Sequence, residues 1–566
     1  MKYSELCAVY EELGRTSKRL EKIDILAEFL KKLKSENEKW IYLLKGKVLS
    51  DYDVREFGIS RQLIIKTISK ASGSSESEVV KEFNKIGDLG EIAEKLMSNK
   101  KQHNLFHSGL TVEKVFENLH KIFELEGRGS VEKKINLVAE LLTNATGNEA
   151  KWIVRIVLSD LRIGVADSTL ISSLAKLFFR DDEKEGAEKI SNFFDLNNDF
   201  AEVFQTLKKG KSELEKSSLL KPGRPINVML PVKVDEIEEA FRICGTPCAI
   251  EHKYDGFRVV ISKKDNEIKL FTRRLEEVTK QFPDVVETVK KNIHGASFVI
   301  DSEVVGYNPK TKKPKPFESI SQRIKRKYDI EKLRKELPVE INAFDIIYYD
   351  NKILTDLPFK ERRKILEKII SPLNHKIRTA TQFITDEEKE AIKFYKEALK
   401  IGEEGIIMKN LEAPYRPGRR VGYMIKMKPE IADLDFVIVG AEYGSGKRAG
   451  WLTSYNLACI SNYDFLEVGK VSSGLKEKEE EGTTYKEMTN LLKQLIKEEK
   501  GKSVSVKPKL VVSVTYQNIQ KSPSYSSGYA LRFPRITHYR PERGIYDIAS
   551  LEDIKKEAKK QNTKAL

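Results

Sequence analysis

Apolar side chains recur at helical spacing through the first part of the chain. Leu26, Phe29, Leu30 and Leu33 fall at i, i+3, i+4 and i+7, and Val112, Val115, Phe116, Leu119, Ile122 and Phe123 repeat the stripe. Such stripes predict amphipathic helices sharing a core. The polar, glycine-bearing breaks Ser72-Gly73-Ser74-Ser75 and Glu126-Gly127-Arg128-Gly129 read as turns between them. Around residue 248 the pattern changes. Cys248-Ala249-Ile250, Val259-Val260-Ile261 and Ile268-Lys269-Leu270-Phe271 are short, β-prone runs, the last two separated by the polar Lys263-Lys264-Asp265-Asn266-Glu267. This predicts strand, bend, strand, hairpin, strand. Further strand-like runs over 434–440, 455–460 and 509–516 predict a small β-barrel.

Proline divides the chain: all 18 lie at or after Pro222. A proline-free first 221 residues with helical periodicity predicts an all-α domain over 1–221. The cluster Lys221-Pro222-Gly223-Arg224-Pro225 reads as a linker. Beyond it, short strands alternating with helices predict an α+β domain over 222–428, with antiparallel sheets lining a cleft, and the barrel then occupies 429–566. A length of 566 residues is consistent with about three domains. With 101 Lys and Arg against 86 Asp and Glu, the chain carries a formal charge of +15, which suits a polyanionic partner or simply a well-solvated surface. Cys7, Cys244, Cys248 and Cys459 are scattered without zinc-like spacing and read as reduced intracellular thiols. The N-terminus has no basic region followed by an apolar run, and no 18 uninterrupted apolar residues occur. We therefore expect a cytoplasmic protein that neither is secreted nor spans a membrane.

The candidate chemistry centres on Glu251-His252-Lys253-Tyr254-Asp255-Gly256-Phe257-Arg258, between two predicted strands. A lysine at such a bend can project into a cleft and attack phosphorus or carbonyl carbon, or it can be an ordinary surface lysine. Downstream come Phe271-Thr272-Arg273-Arg274, then Ile300-Asp301-Ser302-Glu303 and Phe344-Asp345. Glu404-Gly405 with Lys409, Lys426-Met427-Lys428 and Leu531-Arg532-Phe533-Pro534-Arg535 complete the series. Asp301 and Glu303 are two apart, so on a strand they share a face. The stretch Gly444-Ser445-Gly446-Lys447 is not a P-loop, because the first glycine and the Ser or Thr after lysine are missing.

Taken in this order, the segments resemble the motifs of the covalent nucleotidyltransferases, a superfamily of ATP-dependent DNA ligases and mRNA capping enzymes, and most resemble the replicative ATP-dependent DNA ligases of archaea. The resemblance implies a helical DNA-binding domain, a nucleotidyltransferase (adenylation) domain and a C-terminal OB-fold. It implies ATP and Mg²⁺ as cofactors and nicked duplex DNA as substrate, sealed through a lysyl-AMP intermediate on Lys253. Glu251 would read the adenine amino group, or else form a salt bridge, and Phe344 would stack on the ring. Arg258 and Arg273 would hold ribose and phosphate oxygens. Glu303 and Glu404 would bind Mg²⁺, or Glu303 the ribose hydroxyls. Arg420, Lys426 and Lys428 would supply cations to the phosphates, and Arg532 and Arg535 would orient pyrophosphate.

The run from Trp152 to Val165, with Arg155 and Arg162, resembles a DNA-binding signature, although either arginine could equally sit in a structural ion pair. Gln102, Leu105 and Phe106 resemble a sliding-clamp docking peptide. Departures are Pro231 in place of an alanine, Met424 in place of a tryptophan, and Arg540-Pro541-Glu542-Arg543 in place of Arg-x-Asp-Lys. The implied protein is a monomeric DNA ligase. Set against it are a capping-type guanylyltransferase, an RNA ligase and a non-enzymatic nucleic-acid scaffold.

Overall fold

The computed structural model describes residues 1–99, 109–127, 129–216, 220–315, 317–325, 329–418, 421–429, 433–444, 446–448, 450–462, 464–477 and 483–563. It falls into two compact units, 1–391 with 406–427, and 392–405 with 428–566. Gln102, Leu105, Phe106 and Arg420 lie outside the described residues. Among the described residues no helix is long and apolar enough to cross a membrane, and the four cysteines are buried and form no disulfide.

The first unit opens with helices running from Tyr3–Arg15 to Phe200–Lys209. The expected stripes are core: Leu26, Leu30, Val112, Val115, Leu119 and Ile122 are wholly buried in one cluster, with Phe116 and Phe123 packed against it. The break at 72–75 is a stop and a start in four residues. Gly73 takes the left-handed backbone (φ +80°) that ends the helix Arg61–Ser72. The Ser75 hydroxyl then accepts from the Glu78 N–H and caps Glu76–Ile86.

The Trp152–Val165 signature is occupied internally. Arg155 donates to Asp88 at 2.7 Å and Arg162 to the same carboxylate at 2.6 Å, while Asp88 caps the helix Leu89–Ser98 through the Gly90 and Glu91 N–H groups. Burial alone would raise the Asp88 carboxyl, but the hydrogen bond from Arg155 and the charges of both arginines outweigh it and hold it below the usual carboxylate range. A depressed folded pKa contributes stability that is complete above the unfolded value and is lost as pH falls through the folded one. Asp88→Asn, which keeps a good helix cap, should therefore cost about 3 kcal/mol at neutral pH. The gap to wild type should narrow in acid, as urea melts at the two pH values would show.

Two sheets follow in the same unit. The larger runs Glu267–Thr272, Phe257–Lys264, Ser297–Tyr307, Val339–Tyr349, Lys352–Ile353. Its first two strands are the predicted hairpin, turning at Asp265 and Asn266. The smaller runs Val232–Lys233, Met424–Met427, Gly405–Asn410, Cys248–Lys253, Gln382–Thr385. Both were expected to be antiparallel, and both are mixed. Val232–Lys233 runs parallel to Met424–Met427, and Ile377–Thr379 parallel to Val339–Tyr349. Such pairs join strands distant in sequence, which local patterning does not reveal.

The second unit is antiparallel and strand-rich, as expected of the C-terminal domain. Leu434–Tyr443 pairs with Leu452–Ser461, with Ser503–Val506 and with Val511–Thr515. Phe436, Ile438, Tyr455, Leu457, Val512 and Val514 fill its core. The lysine-rich end, expected to be a solvated helix or frayed tail, is the helix Leu551–Thr563, and it is docked: Ile554 and Ala558 are buried in that core. Arg540 and Arg543 are both held by Asp435, at 3.7 and 3.3 Å.

Candidate active site

Lys253 is the last residue of the strand Cys248–Lys253, half-buried, and the chain turns at Asp255 and Gly256 into Phe257–Lys264. Gly256 allows the turn to lie against its neighbour. A Cβ there would stand 2.5 Å from the Val304 carbonyl oxygen and 3.1 Å from Glu303 Cγ. Because the nearest of these atoms is backbone, Gly256→Ala should push the bend off the strand Ser297–Tyr307. We expect a loss of about 1–3 kcal/mol in thermal unfolding. Tyr254, buried beside Phe344, Val305 and Ala380, fixes the bend from the other side, its hydroxyl accepting from the Thr381 N–H at 3.0 Å.

Two residues before Lys253, and so on the same strand face, lies Glu251. Its buried carboxylate pairs with Lys409 Nζ at 2.7 Å and accepts from Gln382 Nε2 at 3.0 Å and Arg363 Nη1 at 3.4 Å. Of its two expected roles, the salt bridge is the one formed here. Lys409 also binds the Phe344 carbonyl oxygen at 3.3 Å, and its ammonium lies 4.5 Å from the centre of the Phe344 ring. One buried lysine thus ties Glu251 to Phe344. The next residue, Asp345, is anchored by Arg362, with Nε to Oδ1 at 2.7 Å and Nη2 to Oδ2 at 3.0 Å.

Arg258 is turned into the protein. It forks onto Asp301 (Nε to Oδ1 2.9 Å, Nη2 to Oδ2 2.6 Å), donates from Nη1 to the Met229 carbonyl at 2.8 Å, and lies 5.3 Å from the Phe344 ring centre. Burial would lower its pKa, but the Asp301 carboxylate more than offsets this and raises it well above the usual arginine value. Asp301 also accepts from the Tyr415 hydroxyl at 2.7 Å. Asp301 and Glu303 do share a strand, yet Asp301 is fully buried with Arg258 while Glu303 is half-buried, directly across from Arg258 in the ladder. Arg273 is exposed and lines a cavity of about 420 Å³ with Asn227, Val228, Leu230 and Asp195. Lys426 sits on the strand Met424–Met427, opposite Ile407.

The remaining candidates belong to the second unit. Glu404 is paired with Lys428 and accepts from Gln517 Nε2 at 3.5 Å. Arg532 ends the strand Tyr529–Arg532 with its guanidinium 5.0 Å from the Phe533 ring centre, and Arg535 opens Arg535–Tyr539. The two carboxylates expected to bind metal are therefore divided between the units. Among the described residues no group of three or more His, Cys, Asp or Glu side chains forms a metal cluster.

Lys409 was read only as the end of the motif that opens at Glu404, with no role of its own, and Gln382, Arg363 and Tyr415 were not singled out from the sequence. Arg363, in the charged helix Phe359–Ile369, reads as a solvated face, and nothing local marks Gln382 or Tyr415.

The chain as a whole is similar to known proteins. Residues 2–175 match the family described as DNA ligase N terminus, 228–428 the ATP dependent DNA ligase domain, and 448–543 the ATP dependent DNA ligase C terminal region. A DNA ligase of Nanoarchaeum equitans is 44% identical over 559 residues, covering 98% of both chains. One of Methanopyrus kandleri is 40% identical over 561 residues, again covering 98% of each. A solved structure named Pmar-Lig_PreS3 superposes with a TM-score of 0.58 at 16% identity, over 94% of this chain and 99% of its own, which shows a shared fold.

Proposed function

Since this chain belongs to the family of ATP-dependent DNA ligases, which form phosphodiester bonds in DNA, we propose that Lys253 is the nucleophile through which it uses ATP. One observation carries this reading: the lysine ends a strand whose preceding same-face residue, Glu251, is a buried carboxylate joined through Lys409 to a half-buried aromatic ring. That combination suits a purine. An acceptor can meet an exocyclic amine, and a flat apolar face can lie on the base.

The neutral Lys253 amine attacks the α-phosphorus of ATP; an N–P bond forms as the nitrogen gives up a proton to solvent, the P–O bond to pyrophosphate breaks, and pyrophosphate leaves with the electron pair. A 5′-phosphate oxygen at the nick then attacks the same phosphorus. The N–P bond breaks and the lysine nitrogen recovers its pair and a proton. Finally the 3′-hydroxyl oxygen attacks the activated 5′-phosphorus, loses its proton and expels AMP. Glu251 would read the adenine amino group and Phe344 would stack on the base. Arg258 and Arg273 would hold ribose and phosphate oxygens, with Arg420, Lys426, Lys428, Arg532 and Arg535 facing phosphate and pyrophosphate. Glu303 and Glu404 offer hard oxygen donors that fit Mg²⁺, which when bound neutralises charge on the phosphate oxygens.

We assign 1–221 to DNA binding, 222–428 to adenylation and 429–566 to the OB-fold, and on sequence alone Gln102, Leu105 and Phe106 to a sliding clamp. The protein acts as a monomer on nicked duplex DNA. ATP labelled at the α-phosphate should leave label on the protein and then on nicked DNA, whereas γ-labelled ATP should leave none. Labelling by GTP alone would overturn the reading.

A further inference from the structure

We propose that Tyr415 is a positioning residue for ATP, holding Arg258 and the chain at Met229 in register through its hydroxyl. The inference rests on the reading above, in which Arg258 and Phe344 meet the nucleotide. Tyr415 is 1% exposed, and its hydroxyl makes two directed bonds. It donates to Asp301 Oδ2 at 2.7 Å and accepts from the Met229 N–H at 3.0 Å. Arg258 closes the ring, forking onto both Asp301 oxygens and donating to the Met229 carbonyl at 2.8 Å. Both polar groups of the Met229 backbone are therefore fixed by the same buried network, one by Tyr415 and one by Arg258. The Arg416 N–H adds a contact to Met229 Sδ at 3.4 Å.

What the ring holds still is informative. On one side Arg258 lies against the Phe344 ring; on the other, Val228 and Leu230, flanking Met229, line the cavity that contains Arg273. The phenol thus ties the segment leading into the domain to the strands that carry Arg258 and Asp301. Burial, followed by the neighbouring Asp301 charge, raises the phenol well above its ordinary pKa, so it remains a donor across the working pH range. None of these bonds reaches Lys253, so their loss should weaken the grip on the nucleotide while leaving the attacking amine in place. In kinetic terms that is a change in KM with kcat preserved.

The test is self-adenylation by the full chain, followed with α-labelled ATP over a concentration series. Tyr415→Phe keeps the ring and removes only the hydroxyl. It should raise KM for ATP about tenfold, the factor that corresponds to about 1.4 kcal/mol, with the rate at saturation within about twofold of wild type. Replacing Tyr415 by 4-aminophenylalanine, which restores a donor toward Asp301, should recover most of the loss. Melting curves check that both variants are folded at the assay temperature. An unchanged KM in Tyr415→Phe, a fall in saturated rate without a change in KM, or failure of the amino variant to rescue would each overturn the inference. If wild type itself takes no label from ATP, the fault lies in the reading of Lys253 and not in Tyr415.

Discussion

Lys253→Ala should take no label from α-labelled ATP and should seal ordinary nicks at least ~10⁵-fold more slowly than wild type, the scale of loss seen when a covalent nucleophile is removed. Alanine leaves the strand Cys248–Lys253 and its pairing with Gln382–Thr385 intact, so the fold should persist. The same variant should still close a nick whose 5′-phosphate already carries AMP. In that last step the 3′-hydroxyl attacks and AMP leaves, with no bond to the lysine nitrogen. Gel assays with plain and pre-adenylated nicks separate the two activities. Equal loss on both substrates would show that Lys253 supports the site as a whole and not the first transfer.

The second large effect is expected at Glu251. Removing its carboxylate in Glu251→Ala strands the buried Lys409 ammonium, which is left with the Phe344 carbonyl, and places it near the Arg363 guanidinium with no anion between them. Breaking a buried pair from one side costs about 3–5 kcal/mol, more than the charge-neutral contacts around it can recover. Glu251→Ala should therefore melt markedly earlier and label poorly. Glu251→Gln separates structure from recognition. Its carbonyl can still accept from Lys409, so most of the stability should return, but its amide offers a donor as well as an acceptor to the base. Its preference for ATP over GTP in self-adenylation should fall by tenfold or more, since a site that presents one pattern of donors and acceptors rejects the other base by leaving polar groups unmatched. If Glu251→Gln keeps full discrimination, Glu251 is a structural anion only.

How far the sequence revealed these features depended on how far apart the partners lie along the chain. The stripes through Leu26 and Val112, the hairpin at Asp265 and the bend at Gly256 were legible because each depends on residues within a few positions of one another. The placement of Lys253 at a strand end before that bend was legible for the same reason, its stretch being uninterrupted. The partners that define its surroundings were not. Tyr415 meets Asp301 across 114 positions and Gln382 meets Glu251 across 131, pairings that exist only once the strands are assembled.

Charge alone left several roles open. Of the two roles weighed for Arg155 and Arg162, phosphate contact or structural ion pair, the ion pair with Asp88 is the one formed here. The lysines of the final helix masked Ile554 and Ala558, which dock it. Glu404 and Lys428, read as metal and phosphate ligands, pair with each other in the second unit, while Glu303 belongs to the first. The parallel pairing of Val232–Lys233 with Met424–Met427 has no local signal at all, since it joins the two ends of the adenylation domain.

The most direct test is to adenylate the full-length protein with ATP, digest it without acid, and locate the adduct by tandem mass spectrometry. A single AMP on the Lys253 side chain, joined through an acid-labile nitrogen–phosphorus bond, is the predicted result. An adduct on Lys263, Lys409 or a hydroxyl side chain, or efficient nick sealing with no adduct on the protein at any time, would contradict it.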